Sequence, residues 1–358
     1  MISKKTKERF NNLLEGYVLL YATIDSKERI AFITKDIGGK NGYLKHGTEL
    51  ETDLILYNPK CNNDKLGLAC RGWEQGINRA WVSFVSDETQ PLCAWSDNAY
   101  SIEYTADCKF DISTGWEHIP APKNLGVEML RAVHGVKQID GETFMFGRFR
   151  KLYKRTGVQQ WEDLSYEETH PNLHKDLAKR IKQKKSMVSG VNAGFDDVDG
   201  FSKNDIYGCG DGGDLWHYDG NKWRKLDPPS NFDMSAILCA KDGYVYIAGN
   251  IGEIMKGRYT KEKGEEWKMI KSPLSRRVHS LAEFQEKVYI GTEEGLFSID
   301  SKEKIKQYKF PKDGWHQYSF QNVASCDEAL LSYGVHQALL FDGKEWEELV
   351  GSIVVPEL

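Results

Sequence analysis

The strongest constraint on this chain is a grammar that it repeats. Segment 204–227 reads NDIYGCGDGGDLWHYDGNKWRKLD, 243–270 reads GYVYIAGNIGEIMKGRYTKEKGEEWKMI, 287–310 reads KVYIGTEEGLFSIDSKEKIKQYKF and 328–349 reads EALLSYGVHQALLFDGKEWEEL. An earlier copy, 142–164, reads ETFMFGRFRKLYKRTGVQQWEDL. Each copy holds a short alternating strand, a glycine-bearing turn, a second strand, and a tight turn into a strand with Trp or another large hydrophobe. Ahead of each lies another apolar run: MLRAVHGV, SGVNAGF, SAILCAK, VHSLAEF or FQNVASC. That makes four short strands per unit. The markers Trp116, Trp161, Trp223, Trp267, Phe310 and Trp346 are spaced by 45, 62, 44, 43 and 36 residues. A four-stranded unit recurring every ~40–50 residues is the signature of a propeller blade.

The physical reason is burial. A lone four-stranded sheet with two apolar faces cannot hide both, whereas blades stacked against one another can. Asp219-Gly220 and Asp342-Gly343 supply the positive φ of a tight hairpin just ahead of Trp223 and Trp346. The expected fold is therefore all-β, a propeller of about seven four-stranded blades, with six or eight also compatible. One domain over 1–358 accommodates blades at roughly 14–60, 61–122, 123–164, 188–228, 232–272, 276–312 and 318–350. The first 120 residues follow the repeat less closely. The terminal SIVVPEL is β-prone and is expected to complete a blade with the N-terminal strand. The long marker interval holds an insertion at 165–187, where Pro171 suits a helix first turn and Leu173, Leu177 and Ile181 form an apolar stripe.

The segment DIYGCGDGGDLWHYDGNKWRKLD resembles bacterial propeller repeats of the photosystem-assembly-factor (YCF48) and sialidase-like (BNR) type, within the WD40-like superfamily. Those repeats carry a strand, a G-x-G-G turn and then Y-D-G-x-x-W. The resemblance covers 190–350 well and 129–164 loosely. It implies the propeller fold and says little about activity, because fold does not fix function.

Composition narrows the function classes. Net charge is -5 over 358 residues, which argues against general nucleic-acid affinity. YVLLYA near the N-terminus is too short for a signal-peptide core or a membrane span. Seven Cys at irregular spacing, with no C-x-x-C, read as reduced thiols. These features predict a cytoplasmic protein without a membrane association.

The motifs that would carry chemistry are weak. GCGDGG at 208–213 lacks the Lys-Ser/Thr of a phosphate loop and reads as a hairpin turn. Asp196, Asp197, Asp199 and Asp205 lack calcium-loop spacing and read as a polar turn. Arg131, His134 and His279 fall in first strands, which line the channel of a propeller, but without metal-ligand spacing. No cofactor, metal or catalytic set is expected. The surface candidates are the basic face of the insertion, Lys175, Lys179, Arg180 and Lys182, and the Trp residues outside the repeat slot, Trp73, Trp95 and Trp315. The expected function is non-enzymatic protein binding. Within it falls a cognate immunity protein that neutralises a bacterial toxin, an acidic propeller suiting a basic toxin through charge complementarity. The alternatives are a propeller hydrolase or lyase acting on a sugar or small ligand at the channel, and an assembly factor of a larger complex.

Overall fold

The computed structural model describes residues 4–14, 16–36, 52–57, 68–73, 80–85, 91–95, 98–101, 103–104, 110–111, 116–117, 133–148, 150–165, 194–315 and 320–351. Among them, six antiparallel sheets have four strands in strict chain order. Blade A comprises Tyr17–Ser26, Arg29–Asp36, Thr52–Tyr57 and Leu68–Trp73. Blade B comprises Val133–Ile139, Glu142–Gly147, Lys151–Gly157 and Gln160–Asp163. Blade C comprises Asp197–Ser202, Asp205–Gly210, Asp214–Tyr218 and Trp223–Lys225. Blade D comprises Met234–Cys239, Val245–Gly249, Ile254–Thr260 and Gly264–Ile270. Blade E comprises Val278–Phe284, Lys287–Thr292, Gly295–Ile299 and Ile305–Gln307. Blade F comprises Asn322–Ser325, Leu330–Tyr333, Ala338–Phe341 and Trp346–Val350. The fold class is the all-β β-propeller. Among the described residues its regular blades number six rather than seven, within the range that the repeat allows. The strands over 80–117 do not follow the chain-order pattern. Leu68–Trp73, which sequence groups with the strands after it, pairs instead with Thr52–Tyr57, in a register that sets Ile55 opposite Cys70.

The chain packs as two compact units. One holds blades A, E and F; the other holds blades B, C and D. In each, a blade's two faces serve two neighbours. In blade C, Ile206 packs towards Phe144 and Leu152 of blade B, while Tyr207 and Cys209 pack towards Met234, Ile237 and Val245 of blade D. In blade F, Leu330 joins Phe284 and Tyr289 of blade E, and Leu331 joins Phe32 and Ile55 of blade A. This is the period-two alternation of a strand with both faces buried. The central strands of blades C, D and F are accordingly buried almost without interruption.

The glycines of the GCGDGG run answer to this packing. A Cβ on Gly208 would lie 2.6 Å from the Phe195 ring, and one on Gly210 would strike the Gly194 carbonyl. Gly212 and Gly213 take φ of 67° and 74°, closing the turn over a single 3-10 turn at Asp211–Gly213. Close approach and turn geometry therefore account for all four glycines.

One helix, α1 (Lys4–Leu14), precedes blade A. Thr6, Phe10 and Leu14 share its buried stripe, and Phe10 lies edge-on to Phe32 with centroids 5.9 Å apart. Leu14 and Phe10 share a cluster with Leu349 and Val350 of blade F, so the helix covers the junction of the first and last blades within their unit. Across that junction the Leu19 amide donates to the Val335 carbonyl at 2.8 Å. The terminal SIVVPEL at 352–358, expected to complete a blade, lies outside the described residues.

The Asp turns form as their chemistry requires. One Asp219 carboxylate oxygen accepts the Asn221 and Lys222 amides, and one Asp342 oxygen accepts those of Lys344 and Glu345. Gly220 and Gly343 take φ of 85° and 92°. The amides hold both carboxyls below the ordinary carboxylate range, with Lys222 the main donor for Asp219 and Glu345 for Asp342. Asp219→Ala or Asp342→Ala should each lower stability by about 0.5–1.5 kcal/mol, read as a shift in the urea midpoint. A depressed folded-state pKa contributes stability above about pH 4 that is lost as pH falls through the folded value. Asp342→Asn should therefore flatten the acid limb of the stability profile, and an unchanged limb would contradict this role.

Candidate functional site

Two sets of side chains distinguish themselves, one structural and one open to solvent. The first lies on the first strands of blades B, C and D. Lys137 Nζ donates to Asp197 Oδ1 at 3.2 Å and to the Ile237 carbonyl at 3.3 Å. Asp197 Oδ2 accepts the Ile237 amide at 3.0 Å, and Asp199 Oδ2 accepts that of Cys239 at 2.8 Å. A first strand pairs with its own blade along one edge only, so its other amides need acceptors, and the neighbouring blade's carboxylates supply them. Blade E does the same for blade F, where Ser280 Oγ accepts the Val323 amide at 2.6 Å. Burial holds the Asp197 and Asp199 carboxyls above their ordinary range, against the pull of Lys137 and the amides. Asp197 and Asp199, expected in a polar turn, thus stand in a first strand and join blades.

The two described channel candidates each lie beside a carboxylate. His134 Nδ1 lies 3.1 Å from the Phe195 carbonyl and 3.4 Å from Asp196. His279 Nε2 lies 3.5 Å from Glu293; burial, then Arg277, lowers its pKa, while Glu293 opposes them. Both histidines sit at the second position of a first strand, where the register slips between Val133 and Gly135 and between Val278 and Ser280. The two belong to different units, each with a carboxylate of its own. Among the described residues no three His, Cys, Asp or Glu side chains group as a metal site. Arg131 and the basic insertion residues Lys175, Lys179, Arg180 and Lys182 lie outside the described residues. Trp73 ends the fourth strand of blade A and Trp95 ends strand Pro91–Trp95; their side chains are not described.

The open set is a cleft of about 440 Å³ in the unit of blades A, E and F. It is lined by Lys7 of α1, Lys27, Glu28 and Tyr57 of blade A, Lys312 and Trp315 of the segment after blade E, and Leu340, Asp342, Glu345, Trp346, Glu347 and Glu348 of blade F. Trp315, expected as a surface anchor, is 6% exposed and forms part of the wall. Its indole N–H donates to Glu348 Oε2 at 2.9 Å. Behind it an aromatic group is wedged together: Phe310 lies 6.2 Å from Trp315 and 5.0 Å from Trp346, and Phe341 stacks on Trp346 at 4.9 Å. The Trp346 N–H donates to the Tyr308 hydroxyl at 3.1 Å.

Among the described residues, the cleft holds five carboxylates against three lysines. Burial first, then Glu347 and Glu28, push the Tyr57 phenol up to about 12, so it stays neutral at physiological pH. Two lysines lean on the acids. Lys7 Nζ is 3.5 Å from Glu347, and Lys312 Nζ is 3.7 Å from Glu348 and 5.1 Å from the Trp315 ring centroid. The Lys312 side chain keeps 62% of its surface exposed. An exposed pair of this kind contributes about 0.2–1 kcal/mol, weak enough for a partner's cation to displace it. The cleft was missed by sequence reading. The run DGKEWEE at 342–348 signalled its acidic side, but helix α1 and blade A reach it from the far end of the chain.

No known family profile matches the chain. Over 218 residues it is 27% identical to the immune protein Tsi7 of Pseudomonas aeruginosa, a match covering 61% of this chain and 64% of that protein. The chain thus spans less than two thirds of that relative's length. Among solved structures it is similar to the extracellular domain of BT4673 from B. thetaiotaomicron, with a TM-score of 0.54 and 14% identity over 90% of this chain and 38% of that one. It is also similar to the WD40 β-propeller domain of Doa1, with a TM-score of 0.51 and 10% identity over 89% and 90% of the two chains. YCF48 from Cyanidioschyzon merolae superposes with a TM-score of 0.48 and 13% identity over 76% and 86%. The Doa1 and BT4673 likenesses, at these identities, show the fold alone.

The polar links between blades make a stability prediction. Asp197→Ala removes the acceptor of both Lys137 and the Ile237 amide, and should cost about 1–3 kcal/mol. Lys137→Ala removes one donor, leaves Asp197 its amide, and should cost less. Urea denaturation of the two variants decides the order, and equal midpoints would argue that the Ile237 amide finds water instead.

Proposed function

We propose that this propeller works by binding another protein, and that it is an immunity protein which neutralises a toxin by covering it. The observation that carries the reading is the 27% identity over 218 residues to an immune protein. The chemistry of the described residues agrees with it. Lys137, Asp197 and Asp199 of the first strands are engaged in joining blades, the GCGDGG run is a packed turn, and His134 and His279 sit against carboxylates of their own unit. A non-enzymatic role needs none of them to react. What remains for function is surface, and a blade scaffold presents loops and clefts on rigid sheets. The net charge of -5 favours encounter with a basic partner.

The test is affinity capture of the tagged full chain from its native cell lysate, at low and moderate salt, read by mass spectrometry. The expected result is one stoichiometric protein whose expression alone arrests growth and whose arrest is relieved by co-expression of this chain. A captured protein that is harmless, and that belongs to a larger complex, would shift the reading to assembly. Failure of the folded protein to capture anything at either salt would remove it.

A further inference from the structure

We infer that the cleft between α1, blade A and blade F is the site where a cationic side chain of the partner, most suitably an arginine, is taken up. The inference rests on the protein-binding reading above and names the chemistry that the site selects.

Three independent features fit an arginine. The first is charge: among the described residues, Glu28, Asp342, Glu345, Glu347 and Glu348 line the cleft, with Lys7, Lys27 and Lys312 as its cations. The second is a rigid aromatic wall. Trp315 and Trp346 are fixed by Phe310 and Phe341 and by indole N–H bonds to Glu348 and to the Tyr308 hydroxyl. A planar guanidinium can stack on such a ring while its N–H groups reach carboxylates, which a compact ammonium does less well. The third is that the chain itself already places a cation there. Lys312 stands over the Trp315 ring and beside Glu348, yet most of its side chain remains in water. It is a loosely held internal stand-in, and its withdrawal would open one ring face and one carboxylate together.

The depth of the site matters as well. Glu347 keeps 18% of its side-chain surface exposed and Glu348 28%, so a partner covering the cleft would desolvate these charges further and strengthen their hold on a guest cation. Glu345 is exposed on the turn before Trp346, and that turn is closed by its amide and by Asp342, not by its carboxylate. It can therefore be changed without disturbing the hairpin.

The probe is a fluorescein-labelled peptide of alternating arginine and glycine, titrated into the full chain and followed by anisotropy, with an alternating glutamate and glycine peptide as its counterpart. The arginine peptide should bind saturably and the acidic one should not. Glu345→Lys should weaken binding about tenfold, one charge pair being of that order. Glu262→Lys changes net charge equally, on the exposed turn between the last two strands of blade D, and should weaken binding by less than about twofold. Lys312→Ala, which removes the stand-in, should tighten binding, whereas Lys302→Ala, the same charge change on an exposed turn of blade E, should not. No binding to the unaltered chain, or equal effects of each variant and its control, would overturn the inference. Capture of the native partner separates the two claims. If the unaltered chain and Glu345→Lys capture it equally well, the cleft is overturned and protein binding stands. If the unaltered chain captures nothing, the protein-binding reading falls, while the peptide titration still decides the cleft.

Discussion

Everything in this molecule follows from sheets that are apolar on both faces. Leu330 and Leu331 are adjacent in one strand, point opposite ways, and are both fully buried, one against blade E and one against blade A. Ile206 and Tyr207 do the same between blades B and D. Burying a large apolar side chain contributes about 1.5–3 kcal/mol, and an isolated blade would forgo that on one whole face. A blade of this composition is therefore stable only between two neighbours. Blades A and F stand far apart in sequence. They meet each other, and α1 adds Phe10 and Leu14 to their shared core.

Stacking by apolar faces alone would leave sheets free to slide. The polar contacts along the first strands remove that freedom. Asp197, Asp199 and Ser280 each accept a backbone amide from the next blade, and Lys137 reaches across blade C to a carbonyl of blade D. These bonds have one geometry and fix one register, and they also satisfy edge amides that would otherwise be buried or wet. Asp197 and Asp199, two of the acidic residues that might have suggested a catalytic or metal-binding cluster, are consumed in this way.

The cleft at the junction of blades A and F depends on the same joining. Most of its acidic side belongs to the Asp342–Glu348 hairpin, its aromatic wall to Trp315 and Trp346, and two of its lysines to α1 and the first sheet. A cleft so composed is rigid where the aromatic rings are wedged and adjustable where Lys312 rests on the surface.

The repeat was enough to determine the fold class. Strand alternation, the Asp-Gly turns and the Trp markers are local properties, and a tight turn at Asp342-Gly343 or a buried Trp223 needs only its neighbours in sequence and a second sheet of any kind. The glycine run was legible as a turn for the same reason, although only the structure shows that Gly208 and Gly210 yield space to Phe195 and Gly194 of the approaching chain. Sequence did not decide the regular blade count, because where the grammar weakens, strand pairing depends on partners far along the chain. It could not foresee α1, whose buried stripe of Thr6, Phe10 and Leu14 gains its meaning from Phe32, Tyr57 and Leu349. Nor could it assign Asp197 to a joint between blades or Trp315 to the wall of a cleft. Those roles depend on which surfaces meet when sheets pack, and tertiary structure decides that by burying faces whose sequence separation reaches some three hundred residues, as in the Tyr333 hydroxyl that accepts the amide of Ala22.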